Sequence, residues 1–131
     1  MNLPSRPVTT ALVGTTYAAL LLANTYLFQP IGPPGTDLVS TTMGVAYHAV
    51  GLFLLAGVAI AFALWCGLVS PGAFVLLFTI LALSDHVISG PEFSVLYLGW
   101  WFTFLVPIVV AAVLEYGART LLQVYPPKPL V

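Results

Sequence analysis

Four long apolar runs restrict the fold of this chain more than any other feature. They cover about residues 8–28, 42–66, 72–89 and 93–118, and few charges interrupt them. A helix needs about 20 residues to cross the hydrocarbon core of a bilayer. The first, second and fourth runs reach that length. The third run is short, because Ser84-Asp85-His86 follows its uninterrupted part, so a re-entrant segment is the alternative there.

Composition places these runs in lipid rather than in the core of a soluble domain. Only 5% of the 131 residues are charged and 60% are hydrophobic, whereas a soluble domain carries about 25% charged residues. Three basic residues cannot form a phosphate-neutralising patch, which excludes nucleic acid as a partner. The single cysteine excludes an internal disulfide and a multi-cysteine metal site. The chain is therefore predicted to be an integral membrane protein whose first partner is the lipid bilayer.

The segments between the runs are rich in residues that end helices. Residues 29–35 contain three prolines and two glycines, and Ser70-Pro71-Gly72 and Ser89-Gly90-Pro91 form compact connections. Short connections make consecutive helices antiparallel neighbours. We predict one all-α domain, residues 1–131, built as an up-and-down bundle of four transmembrane helices with a non-helical tail over residues 120–131. Pro107 lacks a backbone N–H and is predicted to kink the fourth helix.

The positions of the few charges predict an orientation. The three basic residues lie near the chain ends, at Arg6, Arg119 and Lys128, so the positive-inside rule places both termini in the cytoplasm. We expect the plasma membrane of a prokaryote. Acidic and aromatic side chains then gather toward the opposite face, where an interfacial belt of tyrosines is expected; they are Asp37, Asp85, Glu92, Tyr26, Tyr47 and Tyr97.

Both histidines fall toward that same face. His48 lies about two turns into the second run and His86 about one turn from the end of the third. Ionisable side chains inside a membrane are costly and mark candidate functional sites. Gly44 and Gly51 lie on the face of His48, because helix positions three and four apart are neighbours. We expect the two glycines to frame a groove that accepts a flat cofactor, such as haem or a quinone ring, or else a neighbouring helix.

Three interpretations of this polar cluster remain open. In the first, His48 and His86 bind a b-type haem, or a metal ion with Asp85 and Glu92 as further ligands, in a small electron-transfer protein. In the second, Asp85, His86 and Glu92 line the path of a minimal ion or proton transporter. In the third, the histidines only form hydrogen bonds with neighbouring helices or with water at the headgroups.

Small and aromatic residues mark surfaces for helix packing. Gly14 with Ala18, and Gly57 with Ala61, are spaced four apart, as in close helix contacts within membranes. Trp100 and Trp101 are expected to contact a partner. Glu115 and Arg119 have the favourable order and spacing for a helical ion pair, which we interpret as a cytoplasmic anchor.

No arrangement of residues in the sequence points to catalysis. The chain has no phosphate-binding loop, no dinucleotide fingerprint and no zinc-protease pattern, and its loops are too short to form an extramembrane catalytic domain. We therefore expect a non-catalytic accessory subunit of a larger membrane complex, with a respiratory or other redox assembly as the candidate. Its partners would be other membrane subunits or further copies of the chain.

Overall fold

A computed structural model describes residues 4–28, 34–88, 92–123 and 128–129. All regular structure in these ranges is helical and no strand occurs in them, which confirms the all-helical prediction. The elements, in chain order, are α1 (Arg6–Ala23), a π-helical turn (Asn24–Phe28), α2 (Leu38–Cys66), α3 (Ser70–Ile88), α4 (Glu92–Gly99) and α5 (Trp101–Leu122).

Three helical segments are long and apolar enough to cross a membrane by their length and composition. They are Arg6–Phe28, Leu38–Cys66 and Trp101–Leu122. The described apolar part of α3, Ser70–Ser84, is shorter than these. These three helices are compatible with an integral membrane protein, and the third run is the short one, as the sequence indicates.

Helix α2 begins at Leu38, before the predicted start at residue 42, because Asp37 caps it. The Asp37 carboxylate accepts the Ser40 N–H at 3.0 Å, and the Asp37 N–H donates to the Ser40 hydroxyl at 3.3 Å. This reciprocal arrangement satisfies two N–H groups that a helix start otherwise leaves unpaired. The Ser40 hydroxyl and amide hold the pKa of the Asp37 carboxyl below its ordinary value.

The fourth run is divided into two helices instead of forming one. α4 ends at Gly99, α5 begins at Trp101, and Trp100 between them has φ −117° and ψ 32°. Glycine weakens a helix at this point, and the Gly99 carbonyl accepts a hydrogen bond from the Tyr47 hydroxyl at 2.9 Å. That bond satisfies a carbonyl that apolar surroundings would otherwise leave unpaired.

The later part of the same run also differs from the prediction. α5 continues through Pro107 and ends at Leu122, beyond the predicted end at residue 118. The start of the predicted non-helical tail, residues 120–122, is therefore helical. Of the remaining tail, only Gln123 and residues 128–129 are described, and none of these three is helical.

Helix α2 is the centre of the described bundle, since it contacts α1, α3, α4 and α5. α1 packs closely against it at Gly14, where a Cβ atom would lie 2.9 Å from the Phe53 ring. A second part of the core is aromatic. Tyr97 is fully buried there. The ring centroids of Tyr97, Phe78, Phe93 and Phe104 lie 5.0–6.0 Å apart in the contacting pairs. Tyr97 thus belongs to the interior and not to an exposed interfacial belt.

Candidate functional site

His48 is held by the end of the first helix. The π-helical turn presents Tyr26, whose hydroxyl lies 2.7 Å from Nδ1 of His48. The two rings are stacked with centroids 6.4 Å apart, and the Tyr47 ring lies 5.8 Å from His48 on the preceding position of α2. The half-buried imidazole is therefore fixed by one hydrogen bond and two aromatic neighbours.

A cavity of about 200 Å³ adjoins this histidine. It is partly open and is lined by the π-helical turn, Pro34 before α2, His48 of α2 and the α4 segment, and most of its wall is apolar. Its lining residues are Thr25, Tyr26, Pro34, His48, Val95, Leu98 and Gly99.

The two glycines beside His48 do not frame an open groove. A Cβ atom at Gly44 would lie 2.6 Å from Cβ of Pro34, and one at Gly51 would collide with the indole of Trp101. Both positions thus accommodate side chains of the protein itself. A flat cofactor would reach His48 along this face only if Pro34 or Trp101 moved.

The remaining members of the predicted polar cluster are described only by their backbone. Asp85 and His86 lie in the last turns of α3, and Glu92 is the first residue of α4. Their side chains lie outside the described residues. Within the described residues, no group of three or more His, Cys, Asp or Glu side chains lies close enough together to hold a metal ion. The predicted haem pair and metal set therefore stay predictions.

A second polar centre, which the sequence interpretation missed, joins three helices inside the bundle. The Tyr17 hydroxyl of α1 lies 2.7 Å from the Tyr97 hydroxyl of α4 and 2.7 Å from Oγ1 of Thr79 in α3. Thr79 itself lies 2.6 Å from the Val75 carbonyl. In the sequence, Thr79 belongs to a small and polar stripe with Ala82, His86 and Ser89 that indicates a face turned toward protein, whereas Tyr17 is only a polar side chain within an apolar run.

The directions of these hydrogen bonds follow from the supply of protons. Each hydroxyl has one proton to donate. Thr79 gives its proton to the Val75 carbonyl, which can only accept, so Tyr17 donates to Thr79 and Tyr97 donates to Tyr17. All three hydroxyl protons are donated, and the series of hydrogen bonds ends on the backbone carbonyl of Val75. The arrangement therefore ties helices together and provides no exit for a proton.

Glu115 and Arg119 form the predicted ion pair and also hold the connection between α2 and α3. The Glu115 carboxylate accepts the N–H groups of Val69 and Ser70, at 3.0 and 2.7 Å, where α3 begins. Arg119 donates to the Gly67 carbonyl at 3.1 Å, where α2 ends. An anion suits a helix N-terminus and a cation suits a C-terminus. One pair on α5 thus caps two other helices.

The predicted packing residues have different environments. Gly14, Ala18 and Gly57 are buried, whereas Ala61 is only partly buried. Trp101 is partly buried against Gly51, with its ring 5.9 Å from that of Tyr47. Trp100 is 59% exposed and faces outward. Trp101 is therefore used within the chain, and Trp100 is the tryptophan of the two that a partner could reach.

The described residues form an all-helical structure with three helices long and apolar enough to cross a membrane and with a small cavity beside a tyrosine–histidine pair. Comparison of the chain with models of protein families, with curated proteins and with solved structures finds no match.

Proposed function

We propose that the chain is a non-catalytic integral-membrane subunit that packs within a larger membrane complex. The observation that carries this proposal is the use of the interior polar groups. Tyr97, Tyr17 and Thr79 donate in sequence to a carbonyl, and Glu115 with Arg119 caps two helix ends. The hydrogen bonds of these groups connect helices to one another. A structural subunit requires such connections, because its role is to hold its fold within an assembly.

The outward surface supports the same proposal. Large apolar side chains are exposed on all three long helices, as Leu20, Val50 and Val113 show with 66%, 53% and 63% of their surfaces accessible. Such a surface fits lipid and the helices of other membrane subunits. Aromatic residues are enriched in the contacts that dominate protein interfaces, so exposed Trp100 is the residue that we assign to a partner contact.

We propose further that the chain crosses the membrane four times, with both termini in the cytoplasm. The support is the length of α3: its 19 residues extend about 28 Å at about 1.5 Å per residue, close to the hydrocarbon thickness of about 30 Å. Arg6 and Arg119 then lie on one side, in accordance with the positive-inside rule.

The test is purification of the tagged chain from its native membrane in a mild detergent. We expect a defined assembly well above the 13.9 kDa of one chain. Trp100→Ala should reduce the recovered assembly and leave the fold intact, because this side chain makes its contacts outside the bundle. Trp65→Ala, at a tryptophan with 41% exposure near the other end of α2, is the matched control. Recovery of only a stable monomer would contradict the proposal.

The haem, metal and transport hypotheses remain separate predictions. Each depends on at least one of Asp85, His86 and Glu92. The His48 cavity by itself does not favour haem, because about 200 Å³ is below the roughly 300–1,000 Å³ of pockets for larger ligands. An absorption spectrum of the purified protein without a Soret band would exclude the haem hypothesis.

A further inference from the structure

Thr25 presents an unused hydroxyl at the wall of the His48 cavity. Only 2% of its surface is exposed. Thr42, Thr79 and Thr120 place their hydroxyls on the carbonyl four residues earlier. The Thr25 side chain forms no such bond among the described residues, and Thr25 lines the cavity from the π-helical turn.

His48 supplies a second donor at the same place. The Tyr26 hydroxyl lies 2.7 Å from Nδ1 of His48, and the tautomer of the imidazole decides which of the two atoms donates the proton. A neutral imidazole that accepts at Nδ1 carries its own proton on Nε2. Nε2 makes no hydrogen bond with a described residue. When the Tyr26 hydroxyl donates to Nδ1, His48 therefore has an Nε2–H group to offer as a donor.

The size and the lining of the cavity define what these two donors can bind. A cavity of about 150 Å³ accommodates benzene, so about 200 Å³ accommodates a single substituted six-membered ring. Val95 and Leu98 make two of its walls apolar, as a ring requires. The donors from Thr25 and His48 need acceptors on that ring. A phenol would bring a further donor, whereas a ring with carbonyl groups brings only acceptors.

We propose that this cavity binds the head group of a quinone, with the Thr25 hydroxyl and Nε2–H of His48 donating to its carbonyl oxygens. Tyr26 is the positioning residue, since its hydroxyl then donates to Nδ1 of His48 and it touches the ring only at the cavity wall. None of the residues of this site carries the proposal of a membrane complex, so quinone binding does not depend on that proposal.

The experiment is a titration of the purified full chain in detergent with a decyl-tailed benzoquinone, followed by tryptophan fluorescence. Trp101 reports on the site, because its ring lies 5.9 Å from Tyr47, whose ring lies 5.8 Å from His48. We expect quenching that saturates. Tail-less methylbenzoquinone should compete for the same site, which separates head-group recognition from partition of the tail into the micelle.

Variants then locate the site. Thr25→Val keeps the shape of the side chain and removes the donor, so the dissociation constant should rise about 5-fold, as the loss of one hydrogen bond predicts. His48→Phe should weaken binding at least as much. Thr120→Val, which removes a hydroxyl at the far end of α5, should leave the dissociation constant unchanged. Circular dichroism of each variant verifies the fold.

Three results would overturn the proposal. Quenching that rises linearly without saturation would show partition into detergent and no site. Saturable binding unaffected by Thr25→Val and His48→Phe would place the quinone elsewhere. An equal loss of affinity in Thr120→Val would show that the variants act through general stability.

Discussion

At the scale of single residues, the Tyr17 hydroxyl joins three helices and lends itself to a direct test. Tyr17→Phe removes the acceptor of the buried Tyr97 hydroxyl and the donor to Thr79 in one step. A buried hydroxyl that loses its partner costs about 1–3 kcal/mol, so we expect the free energy of unfolding to fall by about 2 kcal/mol. Unfolding in mixed micelles of mild detergent and dodecyl sulfate measures it.

The matched control for that experiment is Tyr116→Phe. Tyr116 is 50% exposed, and its hydroxyl makes no hydrogen bond with the described residues. We expect its removal to change the stability by less than about 0.5 kcal/mol, as for other surface substitutions. Equal effects of the two substitutions would show that the Tyr97–Tyr17–Thr79 chain does not stabilise the bundle.

Residue type alone could identify some of these positions but not their partners. His48 stood out because an imidazole is costly inside an apolar run, and the structure places it beside a cavity. Thr79 stood out only as part of a small and polar stripe that indicated a face turned toward protein. Tyr17 did not stand out, since tyrosine is common at membrane interfaces. Likewise the spacing of Gly51 indicates a close approach, but only the path of α5 shows that Trp101 makes it.

At the scale of elements, the caps from Glu115 predict where α3 loosens first. Glu115→Ala removes the acceptor of the Val69 and Ser70 N–H groups and leaves Arg119 without its anion. Hydrogen bonds to a charged group contribute about 1.5–3 kcal/mol. We expect the first turn of α3 to exchange its amide hydrogens at least tenfold faster, as measured by hydrogen–deuterium exchange with mass spectrometry.

The start of α2 is the internal control for that measurement. Its capping residues, Asp37 and Ser40, make no hydrogen bond with Glu115 or Arg119. Exchange near Ser40 should therefore remain unchanged in Glu115→Ala. Unchanged exchange at Val69 and Ser70 would contradict the capping role, and Glu115→Gln, which keeps two of the acceptor lone pairs but no charge, should lie between the two.

Element boundaries were predictable where the reason is local. Proline, glycine and short polar residues mark the connection around Ser70, and α3 begins there. The break at Trp100 was not predictable, because Gly99 alone is tolerated in many helices. What permits the break is the Tyr47 hydroxyl on another helix, which satisfies the Gly99 carbonyl. Sequence patterns contain no information on such a contact between distant segments.

At the scale of the whole molecule, an apolar composition predicts that lipid surrounds the helices but does not show which face of each helix packs inside the bundle. Leu52 is fully buried and Leu12 is 57% exposed, although both lie in apolar runs. In water, alternation of polar and apolar residues marks which face of a helix turns inward. In lipid both faces are apolar, so that signal is weak, and small or polar residues such as Gly14 and Tyr17 are what remains to indicate the interior.

The number of membrane crossings follows from a single topological comparison. If α3 spans the membrane, Ser5 before α1 and the Gln123 position after α5 lie on one side and Thr36 before α2 lies on the other; if α3 is re-entrant, Ser5 and Gln123 lie on opposite sides. All three are exposed, so each can carry a single cysteine in a Cys66→Ser background. With an impermeant maleimide added to intact cells, we expect Thr36→Cys alone to be labelled, and lysed cells to show all three reactive. An even number of crossings puts Arg6 and Arg119 on one side of the membrane, and the positive-inside rule makes that side the cytoplasm, which the reagent does not reach. Labelling of Thr36→Cys together with either terminal cysteine would therefore refute the four-span arrangement with cytoplasmic termini.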